Sequence, residues 1–178
     1  MKEKIIAFYK THETEIVTVV LMLIVGTCMH FVPDLFGSEA VKRALSVVFP
    51  LNESPWEHMK LLWWPFLLAG ILLSIKKKDR GYFGGFVLAG VLSILAMTGL
   101  FTFYQSITGV AVLAADISLY VLDVALCAML GFRLAGLASL KNSFALWVVV
   151  AVFVTAGLIV LTYFPGKGYL FLDQRSGR

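Results

Sequence analysis

The amino-acid sequence predicts an all-α integral membrane protein with five transmembrane helices and a short outer interfacial helix. Three observations predict it. Hydrophobic residues make up 60% of the 178 positions and charged residues only 15%, against about 45–50% and 25% in soluble domains. The excess falls in apolar runs, each near the roughly 20 residues a helix needs to cross about 30 Å of hydrocarbon. None of these runs alternates as a barrel strand would, and backbone groups in lipid must be satisfied within their own segment, so each run is a helix. The length fits a single transmembrane domain over residues 1–178.

The first run extends from about Ile16 to Phe31 and continues past Pro33 toward Phe36, a span of about 15–36. Lys2, Lys4 and Lys10 precede it as they would a signal peptide. The run is too long for a signal core and lacks a small-x-small cleavage site, so it is expected to be retained. Ser38 to Phe49 reads as a short amphipathic helix, with Val41, Ala44, Leu45 and Val48 on one face and Lys42 and Arg43 on the other. Too short to span, it suits the outer interface.

The second span, about 57–75, opens on Asn52-Glu53-Ser54-Pro55-Trp56-Glu57-His58-Met59-Lys60. Ser54 is positioned to cap the helix, Pro55 to take its first position and Glu57 its third, the pattern of a capping box. Pro65 should kink this helix, and Trp56, Trp63, Trp64 and Tyr82 suit interfacial aromatic belts, with the middle two deeper. The third span, about 82–104, carries Gly81, Gly85, Ala89 and Ser93 at four-residue spacing, a stripe along which another helix can approach closely. It leads to the expectation of a homodimer or partner subunit packing through Gly81, Gly85 and Ala89. The fourth span, about 109–134, holds Asp116, Tyr120, Asp123 and Cys127 on one face. The fifth is about 144–164. Cys28 and Cys127 fall at different depths, which argues against a disulfide.

Lys2, Lys4, Lys10, Lys76, Lys77, Lys78, Arg80, Arg133 and Lys141 gather on one face of this topology. The excess of cations places that face, and the N-terminus, in the cytoplasm and the C-terminus outside. The net charge of +4 comes from cations at span ends, with no basic face bearing interleaved stacking residues, so nucleic acid is excluded as a partner. The surroundings are the lipid bilayer.

The polar groups then sort by side. His30, Asp34, Glu39, Glu53, Glu57, His58, Tyr104, Gln105, Asp116, Tyr163 and Asp173 fall on the outer half, which implies an acidic, histidine-containing vestibule. Asp123 lies about 10 Å deeper than Asp116 at about 1.5 Å per residue. A mid-membrane carboxylate costs about 2.5–3.5 kcal/mol on insertion scales and so marks a site by default. Ordinary roles exist for each: Glu57 as a cap or as the partner of Lys60, His30 as a carbonyl-bonded histidine, Asp123 as a hydrogen-bond acceptor from a neighbouring helix.

The candidate ligand-binding residues are His30, Glu53, Glu57, His58, Asp116 and Asp123, with Asn52, Ser54, Trp56 and Lys60 as the structural part of the motif. His30, His58 and Glu53 are also candidate metal ligands, since imidazole with carboxylate suits Zn²⁺. Adjacent Glu57 and His58 project about 100° apart on a helix, so at most one of them joins a given site. The sequence specifies no cofactor.

With these residues in place, the chain resembles a family of small bacterial multi-span membrane proteins defined only as a domain of unknown function. The resemblance rests on His30-Phe31, on Asn52-Glu53-Ser54 with Trp56-Glu57-His58 and Lys60-Leu61-Leu62, and on Pro165 with Leu170-Phe171-x-Asp173. It implies bacterial origin and plasma-membrane residence and carries no activity across. From the residues, the leading expectation is binding or proton-coupled translocation of a small cationic or polar solute. The alternatives are a membrane-embedded metal-dependent hydrolase or transferase on outer-leaflet substrates, and a non-catalytic membrane subunit or scaffold.

Overall fold

The computed structural model describes residues 2–173, with side chains from residue 12 onward. Among the described residues the chain folds into seven α-helices and no strand: α1 Lys2–Phe31, α2 Glu39–Leu45, α3 Pro55–Lys77, α4 Gly81–Thr108, α5 Leu113–Ala135, α6 Ala138–Asn142 and α7 Phe144–Tyr163. Five segments are long and apolar enough to cross a membrane: His12–Leu35, Pro55–Lys77, Gly81–Thr108, Leu113–Ala135 and Phe144–Tyr163. Such helices imply a lipid environment.

The helix ends follow local backbone chemistry. α1 tightens into a 3-10 turn, Val32–Leu35, where Pro33 cannot supply an α-helical N–H. α4 stops at Gly109, whose φ of 74° lies in the left-handed region that glycine enters without steric cost. Gly109 therefore ends one helix instead of opening the next, and α5 begins at Leu113. Hydropathy runs straight through Val110–Val112 and does not register that turn. The amphipathic segment 38–49 is helical only over α2, and turns follow from Ser46. No residue of α2 is buried; Val41 is exposed and Leu45 half-buried, so the helix lies at the edge of the bundle.

α3 and α4 form the centre of the packing. On one side, Met22 of α1, Leu62, Phe66 and Leu73 of α3, Phe86 and Ala89 of α4, and Val124 and Ala128 of α5 make one core. On the other, Met59 and Trp63 of α3 meet Phe83 and Val87 of α4 and Ala151 and Leu158 of α7. Trp63 is fully buried and donates Nε1–H to Thr155 Oγ1 at 2.9 Å, which takes it out of the interfacial belt.

The small-residue stripe has a different use from the one expected. A Cβ on Gly85 would lie 2.6 Å from the Gly131 carbonyl oxygen and 2.9 Å from the Ala135 nitrogen, and one on Gly81 would meet the Ala135 carbonyl. Ala89 and Ser93 are fully buried. The stripe is filled by α5 of the same chain. The dimer surface expected through Gly81, Gly85 and Ala89 is thereby already covered.

Candidate functional site

The alternation of the spans brings the end of α1, the start of α3, the end of α4, the start of α5 and the end of α7 to one end of the bundle. Contacts confirm the juxtaposition: His30 meets Glu53, Thr162 meets Glu57, Tyr104 meets Asp116 and Tyr169 meets Gln105. The opposite end carries Lys76–Arg80 and α6, with Asp79 paired to Lys141 at 2.8 Å.

At the first end, three predicted residues converge. Glu53 Oε2 lies 3.3 Å from His58 Nε2, and Glu53 Oε1 lies 3.9 Å from His30 Nε2. The two imidazole rings are 5.3 Å apart between centroids. One ligand atom from each of His30, Glu53 and His58 falls within 4.8 Å of the others, a separation at which one ion can be shared. All three residues are partly buried.

The orientation of His58 follows from the start of α3. Ser54 caps the helix by accepting the Glu57 N–H at 3.3 Å, and Pro55 takes the first helical position. The Ser54 carbonyl then accepts from His58 Nδ1 at 2.9 Å. A carbonyl oxygen can only accept, so Nδ1 carries a proton there, and Nε2 is the ring nitrogen that faces Glu53 and His30. A backbone carbonyl on the remote nitrogen is the usual second partner of a metal-ligating histidine.

Glu57 points elsewhere. The capping box is half-made: Glu57 does not return to the Ser54 N–H, which instead donates to Asn52 Oδ1 at 3.0 Å. Glu57, almost fully buried, accepts from the Leu51 N–H at 2.6 Å, from Lys60 Nζ at 2.8 Å and from Thr162 Oγ1 at 2.8 Å. Lys60 is completely buried and also donates to the Ser46 carbonyl at 2.6 Å. Of the adjacent pair Glu57 and His58, only His58 joins the cluster.

Asp116 and Asp123 are held by other partners. Asp116 accepts from Tyr104. Asp123 is buried, accepts from Ser93 of α4, and has Cys127 Sγ 3.6 Å from its other oxygen. Trp56 stacks at 5.2 Å on Phe171 of the C-terminal segment. Beyond α7, burial and the nearby Tyr104 and Asp116 raise the Tyr169 hydroxyl above its ordinary pKa.

Beside the cluster is a cavity of about 170 Å³, lined by His30, Asp34, Asn52, Glu53 and Asp173 with Pro33, Pro50 and Leu51. Three participants escaped the sequence reading: Ser46, Leu51 and Thr162. Thr162 is one hydroxyl in the last turn of an apolar helix, and the Ser46 and Leu51 contacts run through main-chain groups; none leaves a mark in composition.

No curated protein and no solved structure matches this chain. The model of a family of unknown function, DUF6512, matches residues 1–178, and the chain belongs to that family.

Proposed function

We propose that this membrane protein binds a divalent transition-metal ion of the Zn²⁺ type through His30, Glu53 and His58, and presents it to a small polar group in the adjoining cavity. The observation that carries this reading is the approach of three ligand atoms to within 4.8 Å, with His58 oriented by the hydrogen bond from its Nδ1 to the Ser54 carbonyl. Two histidines and one glutamate are the protein ligands of open, catalytic zinc sites, which leave a position for water or substrate. An ion there acts as a Lewis acid or lowers the pKa of bound water. Metal-dependent hydrolysis or group transfer at the membrane boundary is the reaction class this supports. The cation-rich connections at the other end support an extracytoplasmic orientation for the site.

The translocation reading draws on Asp116 and Asp123 as further steps of a pathway. Their carboxylates already accept hydrogen bonds from Tyr104 and Ser93, an adequate structural role for both. The metal reading draws on residues that face one another directly.

Purified protein, stripped with chelator and re-equilibrated with Zn²⁺, should retain one ion per chain by elemental analysis. His30→Ala, Glu53→Ala and His58→Ala should each abolish stoichiometric retention while the helical circular dichroism is unchanged. A folded wild-type chain that retains no ion overturns the proposal.

A further inference from the structure

The segment between α2 and α3 carries Glu53 and has no helix or strand of its own to hold it. Contacts with α3 fix it at three points, and the Ser46 hydroxyl also lies 3.4 Å from that of Tyr163. The Ser46 carbonyl is held by Lys60 Nζ, the Leu51 amide by the Glu57 carboxylate, and the Ser54 hydroxyl and carbonyl by the first turn of α3. Glu53 sits between the second and third of these. Ser54 is held locally, by a helix cap. The other two contacts depend on a buried ion pair, Glu57 with Lys60, whose members are 3% and 0% exposed.

Such a pair is a poor choice for stability. Taking two charges out of water costs several kcal/mol per ion, and apolar side chains of similar volume commonly serve as well or better. What apolar side chains cannot do is accept the Leu51 N–H or donate to the Ser46 carbonyl. We infer that Glu57 and Lys60 are positioning residues for the metal centre: from the far side of the α3 turn that bears His58, they hold the 46–54 segment so that the Glu53 carboxylate meets His30 and His58. The inference rests on the metal-binding reading. It adds that the buried pair acts on the centre through the backbone of Leu51 and Ser46, without touching the ion.

Co²⁺ is a suitable probe, because its visible absorption reports ligand geometry as well as occupancy. Glu57→Met combined with Lys60→Met removes both charges at similar volume. In the metal-free state this variant should keep the wild-type helical circular dichroism, yet bind Co²⁺ about 10- to 100-fold more weakly, the usual effect of losing a residue that orients a ligand. Its absorption bands should change in position and intensity. Glu57→Gln combined with Lys60→Met restores an acceptor for the Leu51 N–H and should recover most of the affinity. Thr162→Val removes the α7 contact on the other carboxylate oxygen and should leave affinity and spectrum at wild-type values.

Wild-type affinity and spectrum in the double-methionine variant overturn the inference while leaving the metal site standing. A loss of affinity in Thr162→Val as large as in that variant also overturns it, because the carboxylate would then act through α7. Absence of Co²⁺ binding by the wild-type chain overturns the metal reading itself. Should the double-methionine variant not fold, Glu57→Asp decides: it keeps the charge near Lys60 but withdraws the acceptor from Leu51. The same weakening of Co²⁺ binding is expected there, and unchanged binding rejects the inference.

Discussion

Glu57 and His58 are neighbours in the chain that serve different parts of the molecule, because successive side chains on a helix diverge by about 100°. His58 turns toward Glu53 and His30, while Glu57 turns inward to Leu51, Lys60 and Thr162. At the other end of the bundle an ion pair of a simpler kind joins the α3–α4 turn to α6. Asp79 accepts from Lys141 at 2.8 Å and from the Gly81 N–H at 2.9 Å, and both groups are partly exposed. The hydrogen bond from Lys141, then that from the Gly81 amide, and the lysine's charge hold the Asp79 carboxyl below its ordinary value of 3.8. A pKa lowered in the folded state means a stabilising contribution present above the unfolded value and lost as pH falls through the folded one. Lys141→Met should therefore melt below wild type near neutral pH. The difference should shrink to nothing as pH drops below the carboxylate range, since other titrating groups are common to both chains. Because exposed pairs are screened, high salt should also narrow it. Thermal melts in detergent from pH 7 to pH 3 measure this, and a difference that persists in acid would rule out the ion pair as its source.

Between helices, packing in lipid depends on close fit, since burial from lipid offers no hydrophobic gain. α4 and α5 illustrate this through Gly81 and Gly85, whose Cβ positions come within reach of the Gly131 and Ala135 backbone. Gly85→Ala would place a methyl 2.6 Å from the Gly131 carbonyl oxygen, a backbone atom that can yield only by moving the helix. The expected cost is about 1–3 kcal/mol, the range for overpacking a tight contact. By contrast, Gly99→Ala has nothing within 4 Å of the added carbon and should be neutral or slightly stabilising in mid-helix. Unfolding midpoints of the two variants, compared in the same detergent, separate the cases; equal midpoints would show that α5 is not seated on Gly85. The four-residue spacing of the stripe was visible in the sequence, and so was its capacity for close approach. Which helix fills it was not, because periodicity specifies a face and leaves the neighbour open. The same limit explains the capping box: the Ser54, Pro55 and Glu57 spacing marked the start of α3 correctly, yet the Glu57 side chain answers to Leu51, Lys60 and Thr162 through tertiary contacts.

The molecule as a whole has two unlike ends, and the sequence made that asymmetry legible because charge and hydropathy are read position by position. The five spans follow from apolar length, and their alternation from short connections. The meeting of His30 with Glu53 and His58 was harder to read, since it needs α1 packed beside α3 and the 46–54 segment folded back, both outcomes of three-dimensional packing. Asp116 and Asp123 were grouped with that cluster by depth along α5, whereas their partners come from α4. The asymmetry also makes a prediction about the membrane. Lys76 and Lys77 end α3, Lys78 and Arg80 lie in the turn to α4, Arg133 is in the last turn of α5 and Lys141 is in α6, all at the end away from the cluster. Short connections and span ends rich in lysine and arginine stay on the cytoplasmic side, so the His30–Glu53–His58 cluster should face outward. Gly37 lies at the cluster's end of the bundle, with nothing within 4 Å of an added Cβ, so a cysteine fits there without disturbing the fold. In a chain carrying Cys28→Ser and Cys127→Ser, Gly37→Cys should react with a membrane-impermeant maleimide applied to intact cells. Lys77→Cys, exposed at the opposite end, should react only after permeabilisation. The reverse pattern would invert the molecule and turn His30, Glu53 and His58 toward the cytoplasm, where the ions available to such a cluster differ.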